Sequence, residues 1–281
     1  MLRERKESLR IHQSTVTGGS RIITNPKVTV ITGASSGIGA ALAKELGAAG
    51  HRLVLGARRE KELKNVAAQA GTEAIPVVTD VTHRRDVEHL RDVAIEKFGH
   101  VDVWVNNAGR GSGKIVMELT EAELDEMIAV NLKSVYYGMQ AIVPHFQQRG
   151  EGHLINVSSF LGRVPLATYR SAYNAAKAGA NMLTTNLRMD LRMKYPGIHV
   201  SLVLAGFVDT DFHKVAATPF PVKAGTRVGE AMVQSAEEVA EQIASLIEHP
   251  VAELYTNPGL RDLTVRYYQD VGAFEERMAQ R

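Results

Sequence analysis

The side chains best suited to move a proton are Tyr173 and Lys177, in the run Tyr173-Asn174-Ala175-Ala176-Lys177. If that run is helical, the i, i+4 spacing puts both on one face. A phenol ordinarily ionises near pH 10. An ammonium about 5 Å away, at an effective dielectric of about 20, favours the phenolate by about 3 kcal/mol. That is about two pK units, which brings the phenol within range of proton transfer near neutral pH. Tyr169 is the competing phenol, but its i+4 neighbour is Tyr173 rather than a lysine. Upstream stands Asn156-Val157-Ser158-Ser159. A hydroxyl there could hydrogen-bond an oxygen on which charge develops.

A second constellation lies near the start of the chain. The run Thr32-Gly33-Ala34-Ser35-Ser36-Gly37-Ile38-Gly39 follows an apolar stretch and opens a helical pattern. Glycines let the backbone turn tightly and approach a ligand closely. The N–H groups at a helix start can then hold a pyrophosphate. The spacing differs from the ordinary G-x-G-x-x-G dinucleotide fingerprint. The next apolar run ends Gly56-Ala57-Arg58-Arg59, with no acidic residue to grip the ribose 2′-hydroxyl of NAD. Arg58 and Arg59 instead suit the 2′-phosphate of NADP. NADP(H) is therefore the preferred cofactor expected, with NAD(H) as the alternative. Asp80-Val81 could meet the adenine, and the small residues of Asn106-Asn107-Ala108-Gly109 leave room for the ligand.

These residues must be positioned by a framework, and the framework is legible. Short β-branched runs at Lys27–Thr32, Arg52–Ala57, Ala74–Thr79 and Val101–Val105 alternate with helical patterns at Ile38–Ala49, Glu60–Ala70 and His83–Phe98. The second half predicts one or two helices over Glu121–Gln148, a strand at His153–Val157 and a long helix over Thr168–Tyr195. A strand at His199–Leu204, a helix at Ala236–Glu248, a short strand at Ala252–Tyr255 and a terminal helix from Leu260 follow. Buried strands alternating with helices predict an α/β fold, a doubly wound parallel sheet of Rossmann type in three α/β/α layers. Each candidate loop then falls at the carboxyl end of a strand, where ligands bind in such sheets.

The 281 residues are 44% hydrophobic, enough for a sizeable core. Net charge is only +2 with basic residues scattered, which gives no electrostatic footprint for nucleic acid or an anionic membrane. There is no cysteine, so disulfides, thiolate metal sites and cysteine nucleophiles are excluded, in keeping with a reducing cytoplasm. The ten histidines show no metal-site spacing. No apolar run is long enough to span a bilayer. Residues 1–26 read as a polar leader, flexible or packed on the surface, 27–258 as the catalytic domain and 259–281 as a helical tail.

The ordered set of Thr32-Gly33, Gly37, Gly39, Asp80, Asn106 to Gly109, Asn131, Ser159, Tyr173 and Lys177 resembles the short-chain dehydrogenase/reductase family, in its short single-domain branch. The resemblance covers about Lys27–Tyr255. It implies an oxidoreductase that interconverts a small-molecule carbonyl and alcohol. Tyr173 is then the acid in reduction and the base in oxidation, and Lys177 lowers its pKa and holds the nicotinamide ribose. Ser159 bonds the substrate oxygen, with Ser158 in reserve. Asn131 places its carbonyl on a water of the proton relay, and Gly206, Val208 and Thr210 lie by the carboxamide. A homodimer or homotetramer is also implied, built from the catalytic helix and the one before it.

The chain departs from the family pattern in three places. One extra residue lies between Ser159 and Tyr173, Ala205 replaces the usual proline, and Leu254 to Pro258 replaces a glycine-rich end. Residues 207–235, with Phe212, Phe220 and Gly225, suggest a flap over the substrate. Arg110–Ser112 and Phe160–Leu161 are expected in the same pocket. Two other readings share the fold. A non-catalytic NADP(H) sensor would not need the Ser159–Tyr173–Lys177 set, and a sugar-nucleotide epimerase would need a further C-terminal domain.

Overall fold

In the computed structural model of the chain, residues 26–71, 73–212, 223–225, 227–228 and 231–280 are described. The leader, except Pro26, and residues 213–222 of the expected flap, Phe220 among them, lie outside the described residues. Seven strands form one parallel sheet: β1 (Val28–Thr32), β2 (Arg52–Ala57), β3 (Ala74–Val78), β4 (Val103–Asn106), β5 (Gly152–Ser159), β6 (Ile198–Ala205) and β7 (Glu253–Tyr255). Their order across the sheet is β7-β6-β5-β4-β1-β2-β3. All five residues of β1 are buried, as expected of a central strand covered on both faces.

Alternate residues of each strand feed opposite faces. Ile31, Leu53, Leu55, Val103 and Ile155 pack with α1 (Gly37–Ala48), α2 (Glu60–Ala70) and α7 (Ala236–Glu248). Val30, Val54, Trp104 and Leu154 pack with α3 (Arg84–Phe98), α5 (Ser134–Arg149) and α6 (Ser171–Arg192). Local chemistry sets the helix ends. Thr120 and Glu123 form a capping box at the start of α4 (Glu121–Ile128), as do Ser235 and Glu238 for α7. Gly99 and Gly150 close α3 and α5 in the left-handed conformation. The sheet order reverses between β1 and β4, and the crevice opens at their carboxyl ends.

Three elements differ from the sequence expectation. The stretch over Glu121–Gln148 is one path broken by a π turn at Ala129–Lys133, with Asn131 inside it. The long helix expected over Thr168–Tyr195 is α6, Ser171–Arg192. Arg170 already has non-helical φ −110 and ψ 35. At the other end, Pro196 disfavours helix at the residue before it. The tail is two helices, α8 (Pro258–Gln269) and α9 (Val271–Ala279). Leu260, Leu263 and Phe274 from these helices join Phe160, Leu161 and Phe207 in a third apolar cluster at the carboxyl end of the sheet. Among the described residues, no helix is long and apolar enough to cross a membrane.

Candidate active site

The turn from β1 into α1 needs its glycines. Gly33 has φ +68, and a Cβ there would stand 2.7 Å from the Ala108 Cα. Gly37 has φ +55. A Cβ on Gly39 would stand 2.5 Å from the Gly33 carbonyl oxygen, so this glycine lets the helix sit close on the turn. Ser36 is the N-cap residue of α1, yet its hydroxyl makes no capping bond, and the first turn holds no acidic side chain. The positive end of the helix is thereby left to an anionic ligand. The Ser36 hydroxyl instead accepts from Arg59 Nη2 at 2.6 Å, and Ser35 accepts from the same nitrogen at 3.1 Å.

Thr32 and Asn107 stitch this turn to the loop after β4. Thr32 Oγ1 accepts from the Asn107 and Ala108 amides at 3.0 and 3.1 Å. Asn107 Nδ2 donates back to the Thr32 carbonyl at 3.0 Å. Asp80 Oδ1 accepts from the amide and hydroxyl of Thr82. Burial would raise this carboxyl, but Thr82, with Arg58 and His83 beyond, holds it below its ordinary range. The two arginines thus divide: Arg58 acts toward Asp80, and Arg59 toward the glycine turn.

At the other end of the crevice, Tyr173 and Lys177 are both buried. Lys177 Nζ donates to the Val157 carbonyl at 3.1 Å and stands 5.8 Å from the Tyr173 ring centroid. Burial holds the ammonium down to about 8. Burial likewise raises Tyr173, and a hydrogen bond with Ser159 and the charge of Arg170 act against it. Arg170 is thus a second cation beside Tyr173, one to which helical spacing did not point. The two serines part company. Ser159 lines the crevice, whereas Ser158 Oγ donates to Asn181 Oδ1 at 2.5 Å, away from it. Asn131 spends its side chain on one peptide. It accepts from the Arg110 amide at 3.1 Å and donates to the Arg110 carbonyl at 2.9 Å.

One cleft of about 570 Å³ gathers these groups. From the glycine turn it is lined by Gly33, Ser35, Ser36, Gly37 and Ile38, then by Arg58, Arg59, Asp80 and Val81. Asn107, Ala108, Gly109, Ser159, Tyr173 and Lys177 line its middle, with Gly206, Val208 and Thr210 across from them. Of the residues expected to bind the cofactor or take part in the chemistry, all line the cleft except Gly39, which underlies the glycine turn, Asn131, which bonds the Arg110 peptide, and the reserve serine Ser158. Arg110, Gly111, Phe160 and Leu161 line it as expected, and Ser112 does not. Ala205 extends β6 opposite Ser159, the register that proline would have occupied. Sequence reasoning missed Arg170 and the Val157 carbonyl. The first carried a signal, a basic residue in the turn before Tyr173; a backbone carbonyl carries none. Among the described residues no His, Asp or Glu side chains are grouped to hold a metal ion.

A family model described as short chain dehydrogenase matches residues 27–219. The chain belongs to the short-chain dehydrogenase family. It is accordingly an oxidoreductase of the alcohol dehydrogenase type. An uncharacterized oxidoreductase of Staphylococcus epidermidis is 32% identical over 240 residues, which span 85% of this short-chain dehydrogenase and 96% of the relative. A short-chain dehydrogenase/reductase of Burkholderia phymatum, solved in complex with NAD, superposes with a TM-score of 0.79 at 27% identity. The match covers 89% of this chain and 95% of that one. An alcohol dehydrogenase of Thermococcus sibiricus, solved with 5-hydroxy-NADP, gives a TM-score of 0.72 at 32% identity, covering 83% and 97%.

Proposed function

We propose that this enzyme interconverts a carbonyl and a primary or secondary alcohol with NADP(H), with Tyr173 as the proton donor in reduction and the acceptor in oxidation. The observation that carries this reading is one cleft with the glycine turn and Arg59 at one end and Ser159, Tyr173 and Lys177 at the other. When bound, the nicotinamide supplies or accepts the hydride.

The chain's own residues do the rest. The amides of Gly37, Ile38 and the preceding serines face the pyrophosphate, at the positive end of α1. Arg59, with Arg58 beside it, holds the 2′-phosphate, and the Thermococcus relative solved with 5-hydroxy-NADP supports that choice. NAD(H) is the second cofactor, as in the Burkholderia relative. Asp80 and Val81 border the adenine. Asn107, Ala108 and Gly109 give the dinucleotide room, and Gly206, Val208 and Thr210 face the carboxamide. Lys177, pinned on Val157, holds the ribose. Ser159 steadies the substrate oxygen as charge gathers on it. The Asn131 carbonyl, on its π turn, holds a relay water.

Phe160, Leu161, Phe207 and Phe212 make the substrate end apolar. That suits a small-molecule substrate with a hydrophobic body. Met182 and Met189 on α6 and Tyr136 on α5 are exposed, a face suited to a second copy of the chain. The absence of cysteine fits work in the cytoplasm. The test is a panel of ketones, aldehydes and alcohols with each reduced and oxidised cofactor, read at the nicotinamide absorbance. Turnover with NADPH preferred over NADH is expected. Tight dinucleotide binding with turnover of nothing in the panel would overturn the reading in favour of a sensor.

A further inference from the structure

Arg170 belongs to no part of the scheme above, yet it is 3% exposed and lines the same cleft. It stands at the N-cap of α6, three residues before Tyr173. Its backbone is tied on both sides. Its amide donates to the Ala167 carbonyl at 2.9 Å, and its segment bridges to Lys114, whose carbonyl accepts from the Ser171 hydroxyl at 2.8 Å. Its guanidinium carbon lies 5.3 Å from the Phe212 ring centroid and 5.7 Å from that of Tyr169. The Phe212 ring in turn meets the Tyr173 ring edge-on at 5.4 Å. Guanidinium, phenylalanine and phenol therefore form one contiguous packed group.

We propose that Arg170 is a positioning residue for the proton transfer, supplying from the cleft wall a permanent positive charge that favours the Tyr173 phenolate. The inference rests on the reading of Tyr173 as the acid–base group. Two cations flank Tyr173 in sequence, and they differ in kind. Burial holds Lys177 to about 8, so its charge fades as the solution becomes alkaline, where a phenolate is needed for oxidation. A guanidinium keeps its charge throughout. Beside burial and the Ser159 hydrogen bond, the charge of Arg170 bears on Tyr173, in the lowering direction. The other charged groups lining that end of the cleft are Lys177, Arg110 on the loop after β4, and Asp211 after β6. Ser159 faces the phenol from β5.

The experiment is the pH profile of kcat for alcohol oxidation in Arg170→Gln and Arg170→Lys. The rising limb is expected to move up by about one pH unit in Arg170→Gln, the lower end of what a nearby cation exerts. In Arg170→Lys, which keeps a cation, it should stay near the wild-type position. A limb unmoved in Arg170→Gln, with only kcat or stability reduced, would overturn the inference. So would a full-unit upward move in Arg170→Lys, which carries the test alone if Arg170→Gln fails to fold. A tyrosinate absorbance titration, taken as the difference from Tyr173→Phe, reads the same shift without turnover. If wild type oxidises no alcohol, the proposed function fails, and this titration still decides Arg170.

Discussion

Lys177 donates its ammonium to the carbonyl of Val157 at 3.1 Å, fastening the middle of α6 to β5 just ahead of the two serines. The bond fixes which face of α6 looks into the cleft. Across the cleft the nitrogen lies by Gly109, where an added Cβ would be in ordinary contact with it at 3.6 Å.

That buried ammonium makes stability depend on pH in a definite sense. Lys177 is held to about 8 in the folded chain, against 10.5 ordinarily. Between those values the unfolded chain keeps a proton that the folded chain has released, so the contribution of this group rises with pH. Relative to Lys177→Met, the cofactor-free wild type should gain stability from pH 8 upward, by up to about 3 kcal/mol near pH 10.5. Urea unfolding of both proteins at a series of pH values measures it. A difference that shrinks as pH rises would contradict the assignment.

Arg59 is the cation that reaches the glycine turn. Arg59→Ala is expected to reduce the ratio of NADPH to NADH affinity at least about tenfold, about 1.4 kcal/mol. Arg58→Asp should move the ratio in the same direction, toward NAD. Calorimetric titration of each cofactor checks this, and an unchanged ratio in both variants would remove the 2′-phosphate role.

Gly33 and Gly50 both have positive φ, but only one is enclosed. A Cβ on Gly33 meets the Ala108 backbone at 2.7 Å, whereas one on Gly50 meets nothing within 4 Å. Gly50→Ala should therefore cost only the backbone preference, about 1 kcal/mol. Gly33→Ala should cost about 3 kcal/mol and weaken dinucleotide binding as well. Equal costs in chemical denaturation would mean that the close approach of the two loops is not tight.

His153 lies buried in β5 with Nε2 2.8 Å from Ser201 Oγ. Burial, with the charges of His199 and Lys27, holds it to about 3, against 6.5 ordinarily. Its contribution is present above pH 6.5 and is lost as pH falls, because the unfolded chain then takes up a proton that the folded chain refuses. About 2 kcal/mol should be gone by pH 5. His153→Gln should flatten the acid side of the stability profile, and an unchanged profile would show that the ring is protonated in the fold.

Much of this was legible beforehand for identifiable reasons. β1 and the glycine turn are encoded locally, by a strand β-branched at every position followed by glycines whose positive φ values other residues tolerate poorly. The Tyr173–Lys177 pair follows from helical spacing. What the sequence hid depends on distant contacts. The division of labour between Arg58 and Arg59 is decided by Ser35 and Asp80, which come from other loops. The π turn at Asn131 exists within a continuous helical pattern, and its purpose is visible only once Arg110 lies against it. That Ser159 rather than Ser158 lines the cleft goes with the bond that holds Ser158 to Asn181 on α6. The packing of Leu260 and Phe274 onto Phe160, Leu161 and Phe207 left no periodic mark that could be assigned to a partner.

In the proposed reaction the Tyr173 phenol carries the proton while other groups hold the cofactor. The most direct measurement compares Tyr173→Phe with wild type, for NADPH affinity by fluorescence titration and for turnover of the best substrate. Affinity within about threefold of wild type, with kcat reduced by at least about a thousandfold, is expected. Turnover at the wild-type rate in a variant that binds NADPH normally would contradict it.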